Sequence, residues 1–306
     1  MKSYLLRRFA TMFPVVIGVI TLTFALIHMV PGDPVVAMLG ESTAPADIET
    51  MRHQLELDKP LLSQYVSYVA KLVRGDLGRS MSNQAAVAPL IAERYPATLE
   101  LAGTGLLVAI VLALPLGILA GARPGGAADV GAMGFAILGI SIPHLYLGPL
   151  LMILFSLTLG WLPLTGRGGF THLILPAVTL GTAMAAVLAR MLRQSLVQVR
   201  QADYMRTAIG KGLSEMDALI GHGLRNALTP VVSVIGLQTG ALLTGSIITE
   251  VIFSWPGIGR LMIEAINARD YPVVEGCVLA FALTYVVINM LTDLVYGLID
   301  PRIRLA

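Results

Sequence analysis

Apolar residues fall in six long runs, and between the runs charge and helix-period amphipathicity return. The runs lie at Phe9 to Val30, Thr98 to Ala122, Val130 to Leu159, His172 to Met191, Val231 to Thr249 and Val273 to Leu298. About 20 consecutive apolar residues are needed to cross a hydrocarbon core of about 30 Å as a helix. Each run therefore predicts a transmembrane helix. The first follows Lys2, Arg7 and Arg8, is longer than a signal-peptide core and meets no small-residue cleavage site, so it reads as a retained span.

The intervening segments carry patterns of their own. In the segment Pro31 to Pro96, the residues Leu62, Tyr65, Val66, Val69, Leu72 and Val73 recur at helical spacing, with Gln64, Lys71 and Arg74 elsewhere. A shorter helix is expected from Asp47 to Leu57, with Ile48, Met51 and Leu55 on one face, and Gly75 to Gly78 read as a turn. Together they predict a small helical subdomain over the mouth of the bundle. Between the fourth and fifth runs lies Arg190 to Pro230, with the amphipathic stretch DYMRTAIGKGLSEMDALIGHGLRNALTP starting at Asp203. Gly210 and Gly212 interrupt good helix formers there, at about 1 kcal/mol each relative to Ala, and predict a bent helix pair parallel to the membrane. After the fifth run, Ser254, Trp255, Pro256 and Gly257 form a turn. Ile258, Leu261, Met262, Ala265 and Ile266 then define an amphipathic helix along the surface.

Composition agrees with the spans. The 306 residues are 56% hydrophobic and 13% charged, against about 25% charged in a soluble domain. A soluble enzyme, a disordered chain and a fibrous one are excluded. With 21 basic and 19 acidic residues the net charge of +2 leaves no excess to attract nucleic acid. The single cysteine, Cys277, lies in an apolar run and forms neither an internal disulfide nor a thiolate metal site. Basic residues then orient the chain. With the N-terminus inside, Lys2, Arg7, Arg8, Arg123, Arg190, Arg193, Arg200, Arg206, Lys211, Arg225, Arg302 and Arg304 are cytoplasmic, whereas the short outer loops hold only Arg167, Arg260 and Arg269. Both termini are expected in the cytoplasm, and Pro31 to Pro96 outside.

Catalytic patterns are missing. The five histidines, His28, His53, His144, His172 and His222, show no HExxH or other short ligand spacing, so no metal site and no catalytic residue is assigned. His222 is expected to pack or hydrogen-bond at a bend beside Arg225. No GxSxG nucleophile elbow supports an intramembrane enzyme. An ion-coupled secondary transporter would show inverted repeats and midplane acids, whereas the acids here cluster outside the spans or at their edges; Asp293, near the end of the last run, is either a functional acid or a paired interfacial one. No GxxxxGK[ST] loop is present, so any ATP-driven work needs another chain. In the fifth run Gly236, Gly240, Gly245 and Ser246, with Ala241, form a small-residue face that lets another helix approach closely or leaves room for a pathway; it reads as facing a partner chain in preference to packing within this chain.

At the cytoplasmic segment the chain resembles a known family. Asp203, Tyr204, Arg206, Thr207, Ala208, Lys211, Gly212 and Leu213, followed by His222, Leu224, Arg225, Asn226, Ala227 and Pro230, resemble the cytoplasmic motif of ABC-importer permeases in its peptide-importer form. In the broader motif a Glu-Ala-Ala triplet precedes a glycine; here Arg206, Thr207, Ala208 and Gly212 hold that spacing, with Arg206 in the glutamate's place, as is usual in the peptide branch. Gly210 departs from the branch's more common Ala. HMVPGDP from His28, LDKPLLSQY, RGDLGRS, GISIPHLYLGPLL from Gly139, GWLPLTGRGG from Gly160, ILPAVTLG from Ile174, VIFSWPGIGRL from Val251, ARDYPVV from Ala268 and DPRIR from Asp300 follow the family in order along essentially the whole chain.

The resemblance implies the B-type permease chain of a dipeptide, oligopeptide, nickel or glutathione importer of the bacterial inner membrane. The implied fold is all-α and polytopic, a type I ABC importer permease with six transmembrane helices. Its organisation would be residues 1–30 as cytoplasmic N-terminus and first span, 31–96 as extracytoplasmic helical subdomain, and 97–306 as permease core with coupling segment 190–230. Implied partners are a C-type permease chain, two ABC ATPase subunits, an extracytoplasmic substrate-binding protein and membrane lipid. ATP and Mg would be bound by the ATPase subunits, and no cofactor by this chain. The resemblance assigns ATPase coupling to Asp203, Tyr204, Arg206, Thr207, Ala208, Lys211, Gly212, Leu213, His222, Arg225 and Asn226, and makes Trp255, Pro256, Gly257 and Arg260 outer-gate candidates.

Overall fold

The computed structural model describes residues 2–29, 35–36, 45–54 and 57–299, of which the side chains of 2–11, 26–29, 47–48, 51, 54 and 293–299 are not described. Regular structure among the described residues is helical, apart from one antiparallel bridge between Arg79 and Ala86. The helices are α1 (Lys2–Met29), α2 (Pro45–Gln54), α3 (Leu61–Val73), α4 (Val87–Ala122), α5 (Ala127–Ser141), α6 (His144–Leu151, prolonged by a π-helical stretch Met152–Thr158), α7 (Phe170–Arg200), α8 (Asp203–Gly210), α9 (Glu215–Ala218, prolonged by a π-helical stretch Leu219–Gly223), α10 (Leu224–Ile252), α11 (Ile258–Asn267) and α12 (Tyr271–Ile299).

The count of six spans is not confirmed among the described residues. Among the described residues four helices are long and apolar enough to cross a membrane: Val87–Ala122, Phe170–Arg200, Glu215–Ile252 and Tyr271–Thr292. The third apolar run is a bent pair, α5 and α6 with its extension, meeting at 105°. The cause is Pro143, which has no N–H to donate and forces the preceding residue out of the helical region; Ile142 is extended at φ −91°, ψ 111°. The first run lies in α1, whose shorter apolar stretch is Met12–Ala25. The helix expected over Asp47 to Leu57 begins earlier, at Pro45, where a fixed φ suits a first turn, and ends at Gln54. Its proposed face of Ile48, Met51 and Leu55 lies outside the described side chains, as do Asp293, most of the His28 to Pro34 motif and the Asp300 to Arg304 ending.

The chain divides into two compact units, Met1–Pro96 with Gly257–Val287, and Ala97–Pro256 with Ile288–Ala306. In the second unit α7 is the central helix: 72% of its apolar window is buried, against 28% to 33% in the other three spans. Close approach makes this possible. Glycines on α4 form notches for leucines on α7, Gly105 for Leu180, Gly117 for Leu192 and Gly121 for Leu196, and a Cβ on Gly181 would stand 2.5 Å from the Gly105 carbonyl oxygen. Where lipid is as apolar as leucine, such contact-distance packing holds helices together.

In the first unit, Val87, Ile91, Ile258, Ala265, Val273 and Cys277 form a buried cluster. The buried Asp270 carboxylate ties a loop to it, accepting from Ser80 Oγ at 2.5 Å, Met81 N at 3.1 Å and Ser82 N at 3.2 Å. The turn expected at Gly75 to Gly78 is present, with both glycines at positive φ and Gly78 N donating to Asp76 Oδ1 at 2.9 Å.

Candidate coupling segment

After α7 the chain turns at Gln201 and Ala202 and enters α8. Asp203 occupies the first turn, where the N-terminal partial positive charge favours a carboxylate. The apolar spacing of this short helix leaves one residue facing inward. Met205 is 2% exposed and joins the buried cluster of Ala218, Leu219, Leu192 and Leu196. Gly223, in the π-helical stretch, makes room for it: a Cβ there would meet Val199 Cγ1 at 3.1 Å and Met205 Sδ at 3.5 Å.

The rest of α8 faces outward. Asp203, Tyr204, Arg206, Thr207, Lys211, Gly212 and Leu213 are exposed, and Ala208 is half-buried. Arg206 and Asp203 approach to 3.7 Å as an i,i+3 pair in solvent, a contact of little energetic weight. Lys211 closes the helix, and Gly212 follows at φ +97°, a backbone angle that a residue with a Cβ rarely adopts. Among the described residues, no atom beyond its chain neighbours lies within 4 Å of where its Cβ would be, so backbone angle rather than crowding fixes this glycine. Gly210, the last residue of α8, has an ordinary φ. Ser214 then starts α9 with a reciprocal cap, accepting from Asp217 N at 3.1 Å and donating to Asp217 Oδ2 at 2.6 Å.

Two arginines brace the base of this segment. Arg200 donates from Nη1 to the Ala122 carbonyl at 2.6 Å and from Nη2 to Glu215 at 3.2 Å, joining the end of α4 to the start of α9. About two turns earlier, Arg193 grips the buried Asp129 of α5 with two bonds of 2.5 and 2.6 Å, and Asp129 also accepts from Gly125 N at 2.8 Å. Neither brace, nor Met205, follows from the motif. An arginine at helical spacing from the segment and a lone acid opening an apolar helix are the signals that point to them.

Three groups of expected site residues sit differently from expectation. His222 is exposed, and the hydrogen bond at this bend is made by its backbone carbonyl, which accepts from Asn226 Nδ2 at 3.4 Å; Arg225 and Asn226 are exposed too. The small-residue face of α10 is occupied within the chain: Gly236 stands against Thr292 and Gly245 against Leu180, while Gly240 and Ser246 are buried. The exposed stripe of α10 is another one, Leu237, Ala241, Thr244, Ile248 and Val251. Trp255 is fully buried; its Nε1 donates to the Ala97 carbonyl at 2.8 Å, and the Arg167 guanidinium lies 5.8 Å from its ring centroid while bonding Glu100 at 2.5 Å. Near it Thr98 donates to the buried Glu250 at 2.7 Å. Pro256 is half-buried, Gly257 starts α11, and Arg260 pairs with Glu264 at 2.7 Å. Trp255 is thus a packed anchor.

Comparison with known proteins gives this geometry a context. Residues 113–305 match the family described as binding-protein-dependent transport system inner membrane component, and residues 1–102 match the N-terminal family of such membrane components. The glutathione transport system permease protein GsiC of Escherichia coli O6:H1 (strain CFT073) is 44% identical over 304 residues, covering 99% of both chains. The di/tripeptide transport system permease protein DppB of Pseudomonas aeruginosa (strain UCBPP-PA14) is 42% identical over 333 residues, again with 99% of both covered. Among solved structures, an inward-facing MetNI methionine ABC transporter superposes with a TM-score of 0.59 at 17% identity, over 69% of this chain and 96% of that one. An amino acid ABC transporter gives 0.52 at 16% identity, over 70% and 94%.

Proposed function

This chain belongs to the family of binding-protein-dependent transport system inner membrane components, and from that premise we propose that it forms half of the translocation pathway of an ATP-driven importer of small peptides. The observation that carries the coupling role is α8: one methionine fixes it to the core, and nearly all else on it faces outward as a docking surface. ATP and Mg belong to two ATPase subunits, for the sequence has no phosphate-cradling GxxxxGK[ST] loop. Closure of the ATPase dimer moves α8 and, through Met205, Arg200 and Arg193, biases the bundle between inward and outward access. Moving such an equilibrium from 1:99 to 99:1 requires about 5.5 kcal/mol of differential binding, which must pass through these contacts.

A second, C-type permease chain meets the exposed α10 stripe from Leu237 to Val251, and an extracytoplasmic binding protein delivers cargo. The placement of basic residues supports both termini in the cytoplasm. Relatives named for glutathione and for dipeptide transport are almost equally similar, which supports small peptides as the cargo class, glutathione included. Hydrolysis by the assembled complex in proteoliposomes tests this: liganded binding protein with a dipeptide should stimulate it, and stimulation by neither dipeptide nor glutathione would refute the cargo class. Single cysteines in a Cys277→Ser background test the orientation. An impermeant reagent applied outside should label Ser67→Cys and spare Gln201→Cys.

A further inference from the structure

Helix α3 carries an apolar surface that the chain covers only in part. At about 100° per residue its side chains fall in three arcs. Tyr65, Tyr68 and Leu72 form the first and face α1: the Tyr65 hydroxyl is 2.9 Å from Thr21 Oγ1, its ring is 5.3 Å edge-on from Phe24, and the Tyr68 ring is 5.7 Å from the same phenylalanine. Leu62, Val66, Val69 and Val73 form the second; Leu62, Val66 and Val73 are 75%, 59% and 83% exposed. Ser63, Ser67, Lys71 and Arg74 lie on the third, polar arc.

Depth decides what covers the second arc. Thr21 and Phe24 lie inside the apolar stretch Met12–Ala25 of α1, and that helix continues to Met29. At 1.5 Å per residue they stand about 12 and about 8 Å short of the helix end. A helix docked there lies beside the apolar stretch of α1, at a depth comparable with the roughly 5–10 Å to which amphipathic helices settle into an interface. Leu22 of α1, at the same level, is itself 68% exposed and apolar. The polar arc is centred about 125° around the helix from the apolar one.

We propose that α3 is an interfacial helix, its Leu62, Val66, Val69 and Val73 arc covered by acyl chains of the leaflet around the C-terminal half of α1. This rests on α1 being a span, and the subdomain it belongs to is then seated in the membrane rather than held above it. Both tyrosines anchor the helix laterally, and the Lys71 and Arg74 stems let their charges reach headgroups.

Adjacent residues give the test. In the assembled transporter in lipid nanodiscs, with Cys277→Ser, an environment-sensitive fluorophore is placed in turn at Val66→Cys, Leu62→Cys, Ser67→Cys and, on α1, Leu22→Cys. The probes at Val66, Leu62 and Leu22 should lose most of their fluorescence to a doxyl-lipid quencher and little to aqueous iodide, and the Ser67 probe should show the reverse. If Leu22 answers to lipid while Val66 and Leu62 answer to iodide, α3 stands in water and the proposal falls while the span remains. If Val66 and Leu62 are shielded from both quenchers, protein covers the arc and the proposal also falls. A Leu22 probe insensitive to the lipid quencher removes the span and the proposal together.

Discussion

Helices α3 and α8 are both short amphipathic elements outside the long spans, and both leave apolar side chains uncovered, yet those side chains keep different company. On α3 the uncovered residues Leu62, Val66 and Val73 share one uninterrupted arc with no charge in it. On α8 and the turn after it, Tyr204, Ile209 and Leu213 are about 40% exposed and alternate with Arg206, Thr207 and Lys211. Lipid tails offer no hydrogen bonds, so only an unbroken apolar arc suits them. A protein surface can match apolar and charged groups side by side. The arrangement of neighbours, more than the amount of exposed carbon, thus separates a surface made for lipid from one made for a partner.

The largest effect on this comparison is expected at the end of α8. Gly212→Val places a β-branched residue at φ +97°, and coupled uptake in proteoliposomes should fall to background while membrane insertion is unchanged. Gly212→Asn should keep a measurable part of the uptake, because asparagine enters left-handed backbone more readily. Equal loss in both would remove backbone angle as the reason for the glycine. Next, Met205→Ala strips α8 of its anchor and should cost about 2–4 kcal/mol in denaturant unfolding, with weaker capture of the ATPase subunits. An unaltered midpoint would mean that α8 is held by something else.

A smaller loss is expected where α8 meets the core. Arg200→Gln removes a charged bond to the Ala122 carbonyl and should lower stability by about 1–2 kcal/mol; its partner Glu215 is largely exposed and adds little. Smallest of all, Tyr65→Phe deletes the hydroxyl contact between α3 and α1 and should cost about 0.5–1 kcal/mol, with the lipid quenching of a Val66 probe retained. If the probe turned to water in that variant, the single hydrogen bond, not the apolar arc, would be what seats α3.

Sequence legibility divides along similar lines. Long apolar runs and the Gly212 break are local signals, and the helices and the bent pair α8 and α9 follow them. Leu62 and Tyr65 lie only about 60° apart by spacing, and the fold decides between their neighbouring arcs, since Tyr65 meets Phe24 while Leu62 is left 75% exposed. Pro143 was legible as a helix breaker, though an apolar run of that length hid the break it makes. The glycine face of α10 looked outward because spacing cannot tell a partner's helix from the chain's own Thr292 and Leu180. Met205 and the arginine braces depend on contacts across many residues, which no periodicity encodes.

The bond between Asp129 and Arg193 has a consequence in time. Its two ends are 64 residues apart in the chain, and a ribosome adding about 5–20 residues per second needs roughly 3–13 seconds to make the stretch between them. During that interval α5 has emerged with an acid in its first turn and without the Arg193 guanidinium that pairs with it. The carboxylate can close this contact only after α7 arrives with its arginine. The ion pair is therefore a late contact for α5, so a change at either residue should be read first in how much protein reaches the membrane and only afterwards in how well it works.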